Sequence, residues 1–230
     1  MKQPPAPARK PAARHKAEAK AGVNAAHRVR IIGGQWKRTP LAVPDLPGLR
    51  PTPDRVRETL FNWLNHLLAT PWHEARCLDL FAGTGALGFE AASRGAHAVL
   101  MAESSRVAMQ QLAANKDKLR AQQVTLRLAD AFDLAEELGR GAALGQGARF
   151  DLIFLDPPYQ QGWLPRLLPL CLPLLADEGL VYAESELRLD AGADEAEAGK
   201  GVDWMQGWSV LRSGKAGKVY FYLLKRMNSL

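Results

Sequence analysis

At 230 residues and 47% apolar content the chain can bury one sizeable core, so one domain with appendages is the expectation. No run approaches the roughly 18 uncharged apolar residues of a membrane-spanning helix, and no apolar secretory stretch opens the chain, which leaves a soluble, cytoplasmic protein as the expectation. The net charge of +6 is uneven: residues 1–30 hold eight Lys/Arg against Glu18 alone, whereas the other 200 hold 22 basic and 23 acidic residues.

Basicity therefore belongs to the tail. "MKQPPAPARKPAARHKAEAKAGVNAAHR" is rich in Pro, Ala and Lys, offers little to bury, and is expected to be disordered. Such an arm favours a polyanion through counterion release. It reads equally as a solvated leader that aids solubility, while its prolines oppose the amphipathic helix of a transit peptide. Cys77 and Cys171 sit in apolar settings and are expected to be buried reduced thiols, with neither a disulfide nor a metal site.

Taken in chain order, "RVRIIGG" and "TPLAVP" flank a Gly-Gly-Gln-Trp-Lys-Arg connection and predict a β-hairpin extension over 28–50. In "LRPTPDRVRETLFNWLNHLL" the apolar spacing predicts a helix over 53–68, with Thr52 as N-cap and Pro53 as first residue. An alternation follows: strand "CLDLF", helix 86–94, strand "HAVLMAE", helix 105–119, strand "QVTLRLAD", helix 131–138 and strand "FDLIFLD". Alternating apolar strands and helices predict a Rossmann-like, doubly wound α/β fold with a mostly parallel sheet covered on both faces. The Gly-rich stretch 139–147 reads as a loop, and prolines at 165, 169 and 173 predict a broken helix over 163–175. "GLVYAESE" is a further strand and 190–201 a loop. "WSVLRSGKAGKVYFYLLKR" closes the chain as an antiparallel hairpin. The expected domains are a tail (1–27), the hairpin extension (28–50) and the main domain (51–230).

"DLFAGTGALG" follows the first strand of the alternation and opens a helix, with Gly83, Gly85 and Gly88 in G-x-G-x-x-G spacing. Glycines there let the backbone approach a ligand, and Glu103, at the next strand end, is placed to hold a ribose. The pattern fits a dinucleotide or S-adenosylmethionine. Asp79, before the loop, would repel a pyrophosphate but attract an ammonium or sulfonium, or else caps the turn. Asp130 could bond an adenine amino group with Phe132 nearby, or else N-caps the following helix.

"FLDPPY" ends its strand in an acid, two prolines and a tyrosine. An exocyclic amino group conjugated to a ring is a weak nucleophile. Two acceptors aimed at its N–H bonds, the Asp156 carboxylate and the Pro157 carbonyl, would localise its lone pair. Pro157 and Pro158 stiffen the backbone and remove competing donors, and Tyr159 can stack on the base. A strand-end turn with a core tyrosine is the bland alternative.

With these residues in view, the tetrad and "DLFAGTGALG" resemble class I S-adenosylmethionine-dependent amino-methyltransferases. "RIIGGQWKRTPLAVPDLPGLRPTPDRVRETLFNWL", "CLDLFAGTGALGFEAASRGA" and "VYAESE" resemble the bacterial 16S rRNA guanine-N2 methyltransferase (RsmD) family, over roughly residues 28–226. The resemblance implies a Rossmann-like sheet with a reversed last strand and methylation of one guanine, position 966, of 16S rRNA on small-subunit particles or their assembly intermediates. It implies that Asp156, Pro157, Pro158 and Tyr159 engage the guanine. Asp79, Phe81, Gly83, Thr84, Gly85, Glu103, Asp130, Ala131 and Phe132 would hold S-adenosylmethionine. Arg30, Trp36, Arg38, Arg50 and Arg55 would face the RNA. A monomer without metal is expected. The rival readings are a DNA adenine-N6 or cytosine-N4 methyltransferase, which shares the tetrad, a non-catalytic ribosome-assembly RNA-binding protein, and, on the glycine loop alone, an NAD-dependent oxidoreductase.

Overall fold

The computed structural model describes residues 29–44, 46, 51–147, 149–159, 161–189 and 203–227. The basic tail, Arg50 and the expected loop 190–201 lie outside them. The order of elements is β1 (Val29–Arg30), β2 (Pro40–Leu41), α1 (Asp54–Leu67), β3 (Arg76–Asp79), α2 (Ala86–Ser93), β4 (Ala98–Glu103), α3 (Arg106–Leu119), β5 (Val124–Leu128), α4 (Ala131–Ala143), β6 (Phe150–Leu155), α5 (Leu164–Cys171), β7 (Leu175–Ser185), β8 (Trp208–Ala216) and β9 (Val219–Arg226). Among the described residues, seven strands form the main sheet in the order β5-β4-β3-β6-β7-β9-β8. Neighbours from β5 to β7 run parallel, and the closing hairpin adds β9 and β8 antiparallel. The order reverses between β4-β3 and β3-β6, so the ends of β3 and β6 flank the crevice where ligands of such sheets bind.

Strand residues alternate between two cores. Cys77, Val99, Met101, Leu152, Phe154 and Tyr182 pack with Leu60 of α1, Phe89 of α2 and Leu112 of α3. Leu78, Ala102, Ile153, Leu155 and Val181 pack with Leu134 of α4 and Leu167 of α5 on the opposite face. Each such leucine or phenylalanine contributes about 1.5–3 kcal/mol by leaving water. Cys77 and Cys171 are buried free thiols, as expected, and burial pushes the Cys171 thiol up to about 12.

Three expectations need correction. The first is α4, which continues to Ala143 through most of the presumed loop. Gly139 lies against Pro173, where an added Cβ would sit 3.7 Å from the proline ring, so close packing outweighs glycine's weak helix propensity. The second is the start of α1 at Asp54: Pro53 occupies the cap position without a side-chain bond, and Thr52 turns its hydroxyl elsewhere. The third is the strand before the glycine loop, which stops at Asp79 so that Leu80 and Phe81 already belong to the turn. The proline-rich segment behaves as expected, a short α5 continued by a 3-10 turn over Leu172–Leu174.

The hairpin extension is tied to α2 by charge. Glu90, fully buried, accepts the N–H groups of Ile32 (2.7 Å) and Gly33 (2.8 Å) and the Arg94 guanidinium (2.9 Å). Arg57, also fully buried, lies 3.7 Å from Glu90, bonds Asp54 at 2.6 Å, and donates to the carbonyls of Arg30 and Thr52. Asn115 of α3 holds Ala42 by both its N–H and C=O. Tight packing adds to this, since a Cβ on Gly34 would stand 1.9 Å from the Ser93 carbonyl oxygen.

Candidate active site

The glycine turn is shaped from within. Gly83 and Gly85 have φ of 50° and 80°, and a side chain on Gly85 would meet Phe89 and Leu112. Asp79 accepts from Phe81 N (3.3 Å) and Gly88 N (3.1 Å), pinning the turn to the start of α2. Glu103 bridges the loops at two strand ends: its carboxylate accepts from Gly83 N at 2.9 Å and Ser105 N at 2.6 Å. Asp130 N-caps α4 through Phe132 N at 2.8 Å and Asp133 N at 3.3 Å. The capping readings of Asp79 and Asp130 therefore hold, and both carboxylates still border a cavity.

That cavity, about 660 Å³, lies across the crevice between β3 and β6. Its lining takes in Asp79, Phe81, Gly83, Thr84, Glu103, Asp130, Ala131, Asp156, Pro157, Pro158 and Tyr159. Gly85 shapes the turn from behind the lining. Phe132 is not among the lining residues either: its ring packs edge-on to Trp163, with the Arg166 guanidinium 4.3 Å from its centre. Trp163, which the sequence reading passed over, lines the cavity and lies 5.8 Å from Phe81.

The charge of the lining decides between ligand classes. Asp79, Glu103, Asp130, Asp156 and Glu186 are present, and among the described lining residues there is no Lys, Arg or His. A pyrophosphate would face only like charge, whereas a cationic ligand carrying a ribose and an adenine finds carboxylates along its length. Burial pushes the Asp79 carboxyl up to about 7, the Glu103 charge adds to this, and the two backbone N–H groups oppose it. A cation in the cavity would reverse that shift.

Beside this cavity lies a second, about 620 Å³, which shares Pro51, Thr52, Asp156, Tyr159 and Glu186 with it and adds Pro53, Glu184, Ala216, Lys218 and Val219. Thr52 Oγ1 donates to Asp156 at 3.2 Å. Glu184 of β7, nearly fully buried, accepts from the Tyr182 hydroxyl at 2.8 Å and from the Tyr159 hydroxyl at 3.4 Å. Burial, and then the Glu184 charge, hold the Asp156 carboxyl well above the ordinary carboxylate range, with the Thr52 hydroxyl opposing. Tyr159 is 43% exposed, its ring accessible at the junction of the two cavities. In the sequence Thr52 is expected only as a helix cap, and Glu184 is not singled out. "VYAESE" held the only signal for Glu184, an acid near the end of an apolar strand.

The basic candidates lie on the extension and α1. Arg30 is exposed and pairs with Asp54 at 2.8 Å, Arg38 is exposed with φ of 69°, and Arg55 is exposed. Trp36 is half-buried against the core.

A family model described as "conserved hypothetical protein 95" matches residues 29–225. The chain is 40% identical over 200 residues to ribosomal RNA small subunit methyltransferase D of Escherichia coli, covering 86% of this chain and 90% of that protein. It is 37% identical over 167 residues to the protein of the same name from Haemophilus influenzae, covering 71% and 81%. The solved structure of the Escherichia coli protein yhhF superposes with a TM-score of 0.69 at 39% identity, covering 87% of this chain and 98% of that one.

Proposed function

The chain belongs to the ribosomal RNA small subunit methyltransferase D family, and from that premise we propose that it methylates ribosomal RNA with S-adenosylmethionine, at the exocyclic N2 of one guanine in 16S rRNA of the small subunit. The observation that carries the reading is the union of two cavities at Asp156 and Tyr159, one anionic and shaped by a glycine turn, the other open to a base. Position 966 is the guanine we assign, on the family resemblance.

Asp79, Glu103 and Asp130 would hold the sulfonium side, the ribose and the adenine respectively, with Phe81, Thr84 and Ala131 in contact and Gly83 and Gly85 shaping the turn. Bound there, the cofactor supplies a methyl carbon on a positively charged sulfur that departs as a neutral thioether. Tyr159 stacks on the guanine. Asp156 and the Pro157 carbonyl accept the two N–H bonds of N2, turning its lone pair towards the methyl carbon. Asp156 would receive the proton that N2 gives up on methylation, along the hydrogen bond it already accepts. A strong base is not required, and much of the acceleration comes from orientation at about 3–3.5 Å. Removing the guanine from its stack costs a few kcal/mol, which Tyr159 offsets. Arg30, Arg38 and Arg55, with Trp36 and Arg50, would face the RNA, the arginines gripping its phosphates.

The test incubates the protein and radiolabelled S-adenosylmethionine with free 16S rRNA, undermethylated small subunits and duplex DNA, then identifies the methylated nucleoside. N2-methylguanosine confined to rRNA is expected. Methylated adenine or cytosine in DNA, or no transfer at all, would overturn the reading.

A further inference from the structure

One buried acid in the second cavity is left without a role by the chemistry above. Glu184 stands on β7, whose Ala183 pairs with Leu155 of β6, so the residue after each of these, Glu184 and Asp156, emerges side by side at the ends of adjacent parallel strands. Both carboxylates reach the second cavity, and Thr52, Tyr159, Glu186 and the exposed Lys218 line it with them. Glu184 is only 5% exposed, and the Tyr182 hydroxyl fixes one of its oxygens at 2.8 Å. The other oxygen is engaged by Tyr159 at 3.4 Å, and the Thr52 hydroxyl that donates to Asp156 also stands beside the Glu184 carboxylate.

Two neighbouring carboxylates, one buried and one half-buried, disfavour each other's charge unless enough hydrogen-bond donors stand between them, and the single hydroxyl hydrogen of Thr52, which goes to Asp156, cannot serve both. A structural acceptor for Tyr182 would not need the charge, because a glutamine carbonyl accepts the same bond. The arrangement is therefore costly as scaffolding and suited to a partner that brings two adjacent N–H donors. Among the bases, guanine has such an edge: N1–H beside the N2 amino group. Adenine and cytosine place a lone pair, at N1 or N3, beside their amino groups, and a carboxylate there would repel it.

We propose that Glu184 is the residue that selects guanine, its carboxylate accepting N1–H while Asp156 accepts from N2, with Tyr159 stacked on the ring. The assignment rests on the methyltransferase reading and deepens it. It also separates this chain from amino-methyltransferases of adenine and cytosine, which share the Asp-Pro-Pro-Tyr tetrad but would meet a charge opposite the wrong atom. Tyr182, which holds the Glu184 carboxylate in place, acts as a positioning residue.

2-Aminopurine keeps the N2 amino group but has a lone pair at N1, so it isolates the contact. Small subunits are reconstituted with 16S rRNA ligated to carry guanosine or 2-aminopurine at the methylated position, and kcat/KM is measured for each in the same buffer. The full-length wild-type chain is expected to prefer guanosine by about a hundredfold or more, because its buried acceptor is left facing a lone pair. Glu184→Gln can turn its amide to donate to that lone pair, and its preference should fall below about tenfold. S-adenosylmethionine affinity of the variant should stay within about twofold of wild type. Glu184→Asp, which retains the charge, should keep the preference at a lower rate. The lost O6 of 2-aminopurine affects each enzyme alike and cancels from the comparison. A wild-type chain that methylates both bases equally well overturns the proposal without recourse to any variant, as does an unchanged ratio in Glu184→Gln. Absence of transfer even to guanosine would overturn the underlying reading and the proposal with it.

Discussion

Asp156 is half-buried and Asp79 fully buried, and their surroundings give them different tasks and different signatures. Asp156 faces the junction of the cavities, and Asp156→Ala removes the acceptor proposed for the amino group while leaving the glycine turn intact. Turnover should fall by about a thousandfold, consistent with loss of a preorganised hydrogen-bond partner, while S-adenosylmethionine affinity by calorimetry changes little. Asp79 should reveal itself through pH. Its carboxyl titrates near 7 in the folded chain against about 3.9 unfolded, so its contribution to stability is present below about pH 4 and is lost as pH rises through 7. Binding a cation runs the other way, because only the ionised carboxylate attracts it. S-adenosylmethionine affinity should therefore rise by several-fold between about pH 6 and about pH 8, with proton release, and Asp79→Asn should flatten that dependence. Calorimetry in two buffers of different ionisation enthalpy reads both effects. Of these residues, Asp79, Glu103, Asp130 and the tetrad were legible because each ends a strand or opens a turn. Glu184 was not, because nothing in one strand's pattern tells which neighbour it will stand beside.

At the level of elements, the helices and strands followed their hydrophobic period closely, and the misjudged boundaries were those where a contact distant in sequence overrides local propensity. Gly139 and Gly141 stay helical because α4 packs on α5 and the turn after it, which residue-by-residue preference does not include. Likewise Thr52 bonds Asp156 across the fold instead of capping α1. The Glu90 clamp was equally hidden: in sequence it is an acid within an apolar helix, and its partners lie in the hairpin extension and α1. Breaking it should be costly. Glu90→Ala would leave the buried Arg57 with its guanidinium pairing reduced, and stability measured by urea unfolding should fall by about 3–5 kcal/mol. Hydrogen exchange at the Ile32 and Gly33 amides should accelerate before that of the central strands. In the glycine turn, Gly85→Ala should both destabilise the protein and weaken S-adenosylmethionine binding, since φ of 80° is unfavourable for alanine and the methyl group meets Phe89 at 2.5 Å.

For the whole molecule, charge is divided along the chain, with seven basic residues against one acid in residues 1–28 and near-neutrality in the rest. Deleting 1–28 should leave S-adenosylmethionine affinity unchanged, weaken RNA binding, and make the slope of log affinity against log salt shallower by several units if those side chains meet phosphates. An unchanged slope would make the tail a solubility element. The bond between Thr52 and Asp156 sets an order of events for a chain made from its N-terminus. Thr52 leaves the ribosome early, Asp156 much later, and Glu184 later still, yet the junction of the cavities needs all three. No nascent fragment that stops before β7 can hold a finished site, although one that reaches β6 already contains the glycine turn and every carboxylate assigned to the cofactor. Cofactor capture thus becomes available during synthesis before methyl transfer does, and the enzyme cannot act on RNA beside it until its own last strands are in place.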